Sequence, residues 1–266
     1  MNNVELANYY LHNRDEFYSE APHEKLLSVI KQTVGTISDD DVQVIGIDVG
    51  ACIGNYIHHI KDICTEKDAK ILCFEPNPMN LIKLSPAIKN DKTIQLFKHC
   101  LSNEEGTVDF FNWKDLTENN TGNEVAGLRG GGAKICTTTV KKLDDVLDEA
   151  FANKNIVIKF IKIDTEGNDG NVLKGMQKYL SKTKYIIFEC SDCLDDIRGP
   201  GIPNPMRDVV DFLSANGFDT YRIGTKKLIP VNDSYWHPIY EEVKFWSNCF
   251  AVNRSENIDK IKEAYN

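Results

Sequence analysis

From residue 42 onward, short apolar runs alternate with amphipathic stretches along the chain. Residues 42–48 form a near-continuous apolar run, the pattern of a strand buried on both faces. Residues 53–64 follow at helical spacing, with Ile53, Ile57, Ile60 and Ile63 close to one face. The alternation then repeats. Strands are predicted at 70–75, 94–101, 156–164 and 185–189, and helices at 78–88, 143–150, 171–180 and 206–215. Two last strands fall at 218–223 and 247–252, shorter ones at 107–112 and 136–140, and a closing helix starts at Glu256. This order predicts an α/β fold on a doubly wound, mostly parallel sheet, with helices on both faces and right-handed crossovers. Ligands of such sheets bind beyond the carboxyl ends of the strands, at the switch point.

The first 40 residues read differently. One helix is expected over 4–18, and a second after Pro22 with Leu26, Leu27, Val29 and Ile30 on its apolar face. We expect an N-terminal helical extension, 1–40, packed on a main domain, 41–266. Segments 115–133, 191–205 and 232–246 read as long polar loops.

Composition narrows the partners. The chain has 266 residues, is 41% hydrophobic and carries a net charge of -9, with a pI of about 5.2. An acidic surface repels phosphate backbones, so nucleic acid is not the expected partner. No apolar run is long enough to span a bilayer, and the start has no apolar leader region. Several of the eight cysteines sit inside apolar strand-like runs, which suits core residues in a reducing, cytoplasmic compartment. Cys190-x-x-Cys193 has no second pair to complete a zinc site.

The chemistry should then lie at the strand ends. The first strand runs into Asp48-Val49-Gly50-Ala51-Cys52-Ile53-Gly54-Asn55-Tyr56. Its glycines allow a sharp turn and close approach of a ligand to the backbone. The spacing is G-x-x-x-G rather than the G-x-G-x-x-G of a pyrophosphate cradle. Asp48 would repel a phosphate, but it suits the ammonium and sulfonium of S-adenosyl-L-methionine (SAM). Gly50, Ala51, Gly54, Asn55 and Tyr56 are the candidate contacts, and a plain strand-to-helix turn is the alternative. The second strand ends Phe74-Glu75-Pro76-Asn77-Pro78, with Glu75 25 positions after Gly50. An acid there can accept from both ribose hydroxyls, or serve as a helix N-terminal carboxylate. Ser102 and Asn103, after the third strand, are candidate partners of the adenine base, or an ordinary turn. Asp164 and Glu166 end the fourth strand, and Glu189 ends the fifth. Capping explains Asn168 or Asp169 better than it explains these three acids. Residues 164–175 fail as a calcium loop, with Asp169 where Gly is needed and Gly175 where Glu is needed.

Four segments together resemble the FkbM family of methyltransferases. They are Ile47 to Gly54, Phe74 to Pro78, Lys162-Ile163-Asp164-Thr165-Glu166-Gly167 with Val172-Leu173-Lys174-Gly175-Met176, and Phe188-Glu189. The resemblance covers 42–252. It implies the Rossmann-like SAM-dependent methyltransferase fold, with a seven-stranded sheet and a late antiparallel strand. It also implies O-methylation of sugars, polyketides or other secondary metabolites. Cys52 stands where the family usually has Asn, Thr165 where Val is common, and Asn168-Asp169-Gly170 where a small residue, Glu and an apolar residue are usual.

On this reading the acceptor is a hydroxyl of a sugar or glycan, such as a deoxyhexose. Positioning supplies much of the acceleration, and a nearby base takes the hydroxyl proton. Asp164 is the first candidate base, with Glu166, Glu189 and His237 as others. Alternatively, the acids hold Mg²⁺. The three long loops, with Trp113, Trp236 and Trp246, are the expected acceptor-binding segments. A nicotinamide dehydrogenase would need a phosphate-binding turn that is missing here. A non-catalytic module working with a glycosyltransferase is the other rival. An RNA methyltransferase is opposed by the acidity.

Overall fold

The computed structural model describes residues 1–17, 21–113, 126–127, 131–190, 204–243 and 247–265. Two N-terminal helices, α1 (Asn3–His12) and α2 (Ala21–Thr33), precede β1 (Val42–Val49), α3 (Ile57–Ile63), β2 (Lys70–Phe74), α4 (Pro78–Ile88) and β3 (Ile94–Phe97). Next come β4 (Cys100–Leu101), β5 (Gly106–Trp113), β6 (Ala126–Gly127), β7 (Gly131–Lys141), α5 (Leu143–Ala150), β8 (Asn155–Ile163), α6 (Asp169–Lys174) and β9 (Thr183–Cys190). The chain closes with α7 (Met206–Ala215), β10 (Phe218–Ile223), β11 (Leu228–Pro230), α8 (Ile239–Glu242), β12 (Ser247–Asn253) and α9 (Asp259–Glu263).

The main sheet has the order β11-β10-β12-β9-β8-β1-β2-β3. β9, β8, β1, β2 and β3 are mutually parallel, while β12 runs antiparallel to both β9 and β10. The expected late antiparallel strand is therefore β12. The sheet has eight strands rather than the expected seven. The eighth, β11, is a three-residue strand that pairs antiparallel with β10. It is too short to show a period of its own in the sequence.

Alternation along the strands sends two sets of side chains to opposite faces. Ile45, Ile47 and Val49 join one core with Leu6 and Tyr10 of α1, Leu143 and Leu147 of α5, Leu173 of α6 and Leu213 of α7. Val44, Ile71 and Cys73 join the other with Leu26 and Ile30 of α2, Ile57 and Ile60 of α3 and Leu84 of α4. The two N-terminal helices thus contribute to opposite faces of one sheet, with Leu6, Ala7 and Tyr10 in one core and Leu26, Leu27 and Ile30 in the other.

Several elements depart from the sequence reading. The helix expected over 4–18 is α1 followed by a 3₁₀ segment at Arg14–Glu16, the loop expected over 232–246 contains α8, and the loop expected over 115–133 contains β6 and the start of β7. The helix expected from residue 53 begins at Ile57, because Cys52 and Gly54 hold positive φ (+50° and +95°) and the chain cannot yet be helical. The strand expected over 94–101 splits. Its second part, Cys100–Leu101, pairs with β7 in a separate sheet of order β4-β7-β5-β6. The helix expected over 171–180 is α6 followed by a 3₁₀ segment at Gln177–Lys182.

Candidate functional site

Parallel register brings the carboxyl ends of β2, β1, β8 and β9 side by side, with Val49 paired to both Phe74 and Ile163, and Ile163 to Phe188. Asp164 and Glu189 come one residue after the paired Ile163 and Phe188, so they sit on neighbouring strand ends.

The turn after β1 depends on glycine. Gly50 has φ +77°, and a Cβ there would lie 1.9 Å from the Asp164 carbonyl oxygen. Only a residue without a side chain lets the two strand ends approach this closely. The Gly50 and Ala51 N–H groups both donate to the Phe74 carbonyl, at 2.9 and 3.0 Å. The turn is therefore stitched to β2 rather than left as an open phosphate cradle. Asn55 is exposed and Tyr56 half-buried at its far end.

Glu75 is buried where β2 ends. Its Oε2 accepts from the Cys52 N–H at 2.6 Å, and its Oε1 from the Asn77 N–H at 2.8 Å. Asn77 in turn caps α4 through its Oδ1, and Pro76 is half-buried between them. The carboxylate thus joins the β1 turn to the start of α4. Burial pushes its carboxyl up to about 7, against the pull of the Asn77 and Cys52 N–H groups.

Asp48 is fully buried, and neither of its oxygens accepts a hydrogen bond among the described residues. The Lys162 Nζ lies 3.7 Å from Asp48 Oδ1, 3.3 Å from Asp164 Oδ2 and 3.1 Å from the Gly50 carbonyl oxygen, to which it donates. It also stands 5.2 Å from the centre of the Tyr56 ring. Burial acts to lower the Lys162 pKa, but Asp164 and Asp48 outweigh it and hold the ammonium protonated. Asp48 therefore meets a protein cation first, where the sequence suggested a direct partner for a ligand's charge. Asp164 is the more accessible acid, with 44% of its side chain exposed.

α2 also reaches this point. His23 is buried, and its Nδ1 pairs with the Tyr56 hydroxyl at 2.8 Å. Burial lowers its pKa to about 4, so the ring is neutral near pH 7.

The remaining acids divide by role. Glu166 occupies a left-handed turn with Gly167 (φ +56° and +97°). Asp169 Oδ2 accepts from the Thr165 N–H and hydroxyl at 3.1 and 2.7 Å, while its Oδ1 accepts from the Glu189 N–H at 2.9 Å. This buried carboxylate ties the turn after β8 to the end of β9. Burial, then Asp164, pushes it up to about 6. Glu189 is itself buried. Among the described residues no group of three or more His, Cys, Asp or Glu side chains is arranged to hold a metal ion. Of the three acids expected as Mg²⁺ ligands, Asp164 is paired with Lys162 instead, and the described residues give Mg²⁺ no support.

Ser102 is buried, and its N–H donates to the Lys141 carbonyl at 3.0 Å. Its own carbonyl packs so tightly on Gly175 that a Cβ there would lie 2.1 Å away. Its hydroxyl donates to Asn103 Oδ1 at 3.3 Å. Asn168 Nδ2 donates to the Leu101 carbonyl at 2.9 Å, which fixes the same strand end to the start of α6.

His237 lies apart from these contacts. Its Nδ1 accepts from the Ile239 N–H at 3.3 Å and its ring faces Tyr240, which packs on Tyr10 of α1. Trp236 is partly buried against the core under the Arg207 guanidinium, 4.9 Å from its ring centre. Trp113 ends β5. Most of the 115–133 and 191–205 segments, Trp246 and Cys193 lie outside the described residues.

A doubly wound sheet with a late antiparallel strand, a glycine turn stitched to its neighbour and an acid ending β2 make an α/β domain of the methyltransferase type. The methyltransferase FkbM domain profile matches residues 48–220, and the chain belongs to that family. Methyltransferase sdnD of Sordaria araneosa is 29% identical over 66% of this chain and 74% of its own length. Hexuronic acid methyltransferase AglP of Haloferax volcanii is 27% identical over 60% of each chain. The 2-O-methyltransferase NoeI of Sinorhizobium fredii is 26% identical over 62% of this chain and 70% of its own length. This chain thus spans less than two thirds of AglP.

Sequence reasoning overlooked Lys162 and His23, and read Asp169 as a capping residue where it ties the turn after β8 to β9. Lys162 had a readable signal, since a lysine inside an apolar strand demands a buried partner. His23 had none, because only the packing of α2 brings it to Tyr56.

Proposed function

We propose that this protein transfers the methyl group of SAM to a hydroxyl of a sugar or glycan. The observation that carries the cofactor half is the Gly50 turn joined to Glu75: a close-approach backbone with a buried acid at the neighbouring strand end. The residues fit the cofactor. The Glu75 carboxylate accepts the Cys52 and Asn77 N–H groups and a bond from the Asn80 side chain, and two oxygens with two lone pairs each still have room for a ribose hydroxyl. Asp164 is accessible beside the turn and suits the methionyl ammonium. Gly50, Ala51, Gly54, Asn55 and Tyr56 are assigned to the cofactor turn, with Pro76 beside Glu75. Ser102 and Asn103, at the end of β4, are assigned to the adenine edge.

SAM supplies an electrophilic methyl on a sulfonium. The acceptor oxygen forms its bond to that carbon as the carbon–sulfur bond breaks, and the hydroxyl proton passes to a carboxylate. With Asp164 engaged by Lys162 on the cofactor side, we assign the proton to Glu189 first, then to Glu166, Asp164 or His237. The acceptor half is supported by two relatives, a hexuronic acid methyltransferase and a 2-O-methyltransferase. The test supplies isotope-labelled SAM with a panel of deoxyhexose and uronic acid glycans, and locates the labelled methyl by NMR. Methyl on a sugar oxygen is the expected result. Transfer only to non-sugar hydroxyls overturns the acceptor, and absence of SAM binding by the folded protein overturns the whole reading.

A further inference from the structure

Lys162 is 8% exposed, on a strand whose neighbouring residues are apolar. A buried ammonium is retained only where fixed partners offset its lost hydration. It has three such partners: the Gly50 carbonyl, the Asp164 carboxylate and, one step further, the Asp48 carboxylate. Each is anchored differently. Asp48 is within β1, and Gly50 is held by its N–H bond to Phe74 and by its contact with the Asp164 backbone. The Asp164 backbone is held too, its N–H donating to the Val49 carbonyl at 3.0 Å. The Asp164 side chain, by contrast, is nearly half exposed, and a carboxylate on a solvent-facing strand end is ordered only by the partner it meets, here Lys162.

We infer that Lys162 is a positioning residue of the cofactor site: its ammonium, seated between Asp48 and Asp164, fixes the Asp164 carboxylate beside the Gly50 carbonyl, so that both acceptors face the amino-acid end of SAM. The inference rests on the proposed SAM site. Preorganised acceptors bind a cation more tightly than ones that must be ordered on binding. Lys162 acts through Asp164, and its effect is confined to ligands with an ammonium to offer.

That confinement supplies the test. Calorimetry compares SAM with methylthioadenosine, which shares the adenosine and sulfur but lacks the amino-acid end. In Lys162→Gln the SAM Kd should rise about tenfold, the size of one coupled contact. The methylthioadenosine Kd should stay within about twofold. In the Asp164→Asn background, Lys162→Gln should have little further effect on SAM, because contacting residues are not additive. Equal weakening of both ligands, no change for SAM, or full additivity with Asp164→Asn each overturns the inference. Lys162→Gln strands the buried Asp48 charge, so if it does not fold the same comparison is made with Asp48→Asn throughout. Failure of the unaltered protein to bind either ligand would instead count against the SAM site itself.

Discussion

The Glu75 carboxylate accepts the Cys52 N–H at 2.6 Å, and this bond joins those from the Gly50 and Ala51 N–H groups to the Phe74 carbonyl in coupling the end of β2 to the turn after β1. Its carboxyl is pushed up to about 7 by burial, opposed by Asn77 and Cys52. Ribose hydroxyls donate better to the ionised form. SAM affinity should therefore rise with pH through about 7 and level off above it, falling up to about tenfold per unit below. Asp169, pushed up to about 6, titrates nearby in pH but sits on the β8–β9 side. Glu75→Gln isolates the effect: it should bind SAM weakly, without the step near pH 7. Titrations at pH 6, 7 and 8 check this, and an equal step in the variant assigns it elsewhere.

Gly50→Ala tests the close approach. Alanine would need φ +77° and a Cβ 1.9 Å from the Asp164 carbonyl oxygen, an atom of the neighbouring strand's backbone that cannot rotate aside. Left-handed strain alone costs about 1–2 kcal/mol, and the clash adds to it. We expect a loss of at least about 3 kcal/mol in denaturant unfolding, with SAM binding abolished. Gly35→Ala is the control, since a Cβ there meets nothing within 4 Å and no positive φ is required.

Much of this framework was legible in the sequence. Runs such as 42–48 and 156–164 are apolar because both sheet faces bury them, and the helices at 78–88, 143–150 and 206–215 fall where their spacing placed them. Glycine spacing and Glu75 were readable because each is a local requirement of one strand end. What stayed hidden depends on contacts distant in sequence. β11 exists only by pairing with β10. Asp169 resembled a capping residue, but its carboxylate reaches the Glu189 N–H twenty residues on. The Lys162 ammonium beside Asp48 is supplied by β8, more than a hundred residues further along the chain.

His23 carries a pH signature of the N-terminal helices docking on the turn. Its folded pKa, lowered to about 4 mainly by burial, lies below the ordinary 6.5. The unfolded chain therefore binds the proton first. This contribution to stability is complete above about pH 6.5 and is lost as pH falls through 4, amounting to at most about 3 kcal/mol. His23→Gln should flatten that part of the stability profile between pH 7 and 4, read by urea unfolding at each pH. It should also loosen Tyr56, whose hydroxyl meets His23 Nδ1. A variant whose profile parallels the unaltered protein would place the pH dependence in other groups.

Asp169 separates structural from chemical acids at this end of the sheet. Its two oxygens accept from Thr165 and from the Glu189 backbone, and it is buried. Asp169→Ala leaves buried N–H groups without acceptors, each worth about 1–3 kcal/mol. We expect a destabilisation of about 3 kcal/mol. Asp169→Asn keeps one oxygen for the Glu189 N–H, so it should lose clearly less. Glu189→Gln keeps the backbone N–H that Asp169 holds, and should leave stability nearly unchanged while lowering methyl transfer by about 10²-fold, the contribution of a general base. Unfolding curves and single-turnover methylation together decide the division. If Glu189→Gln leaves turnover intact, the proton passes to one of the other acids or to His237.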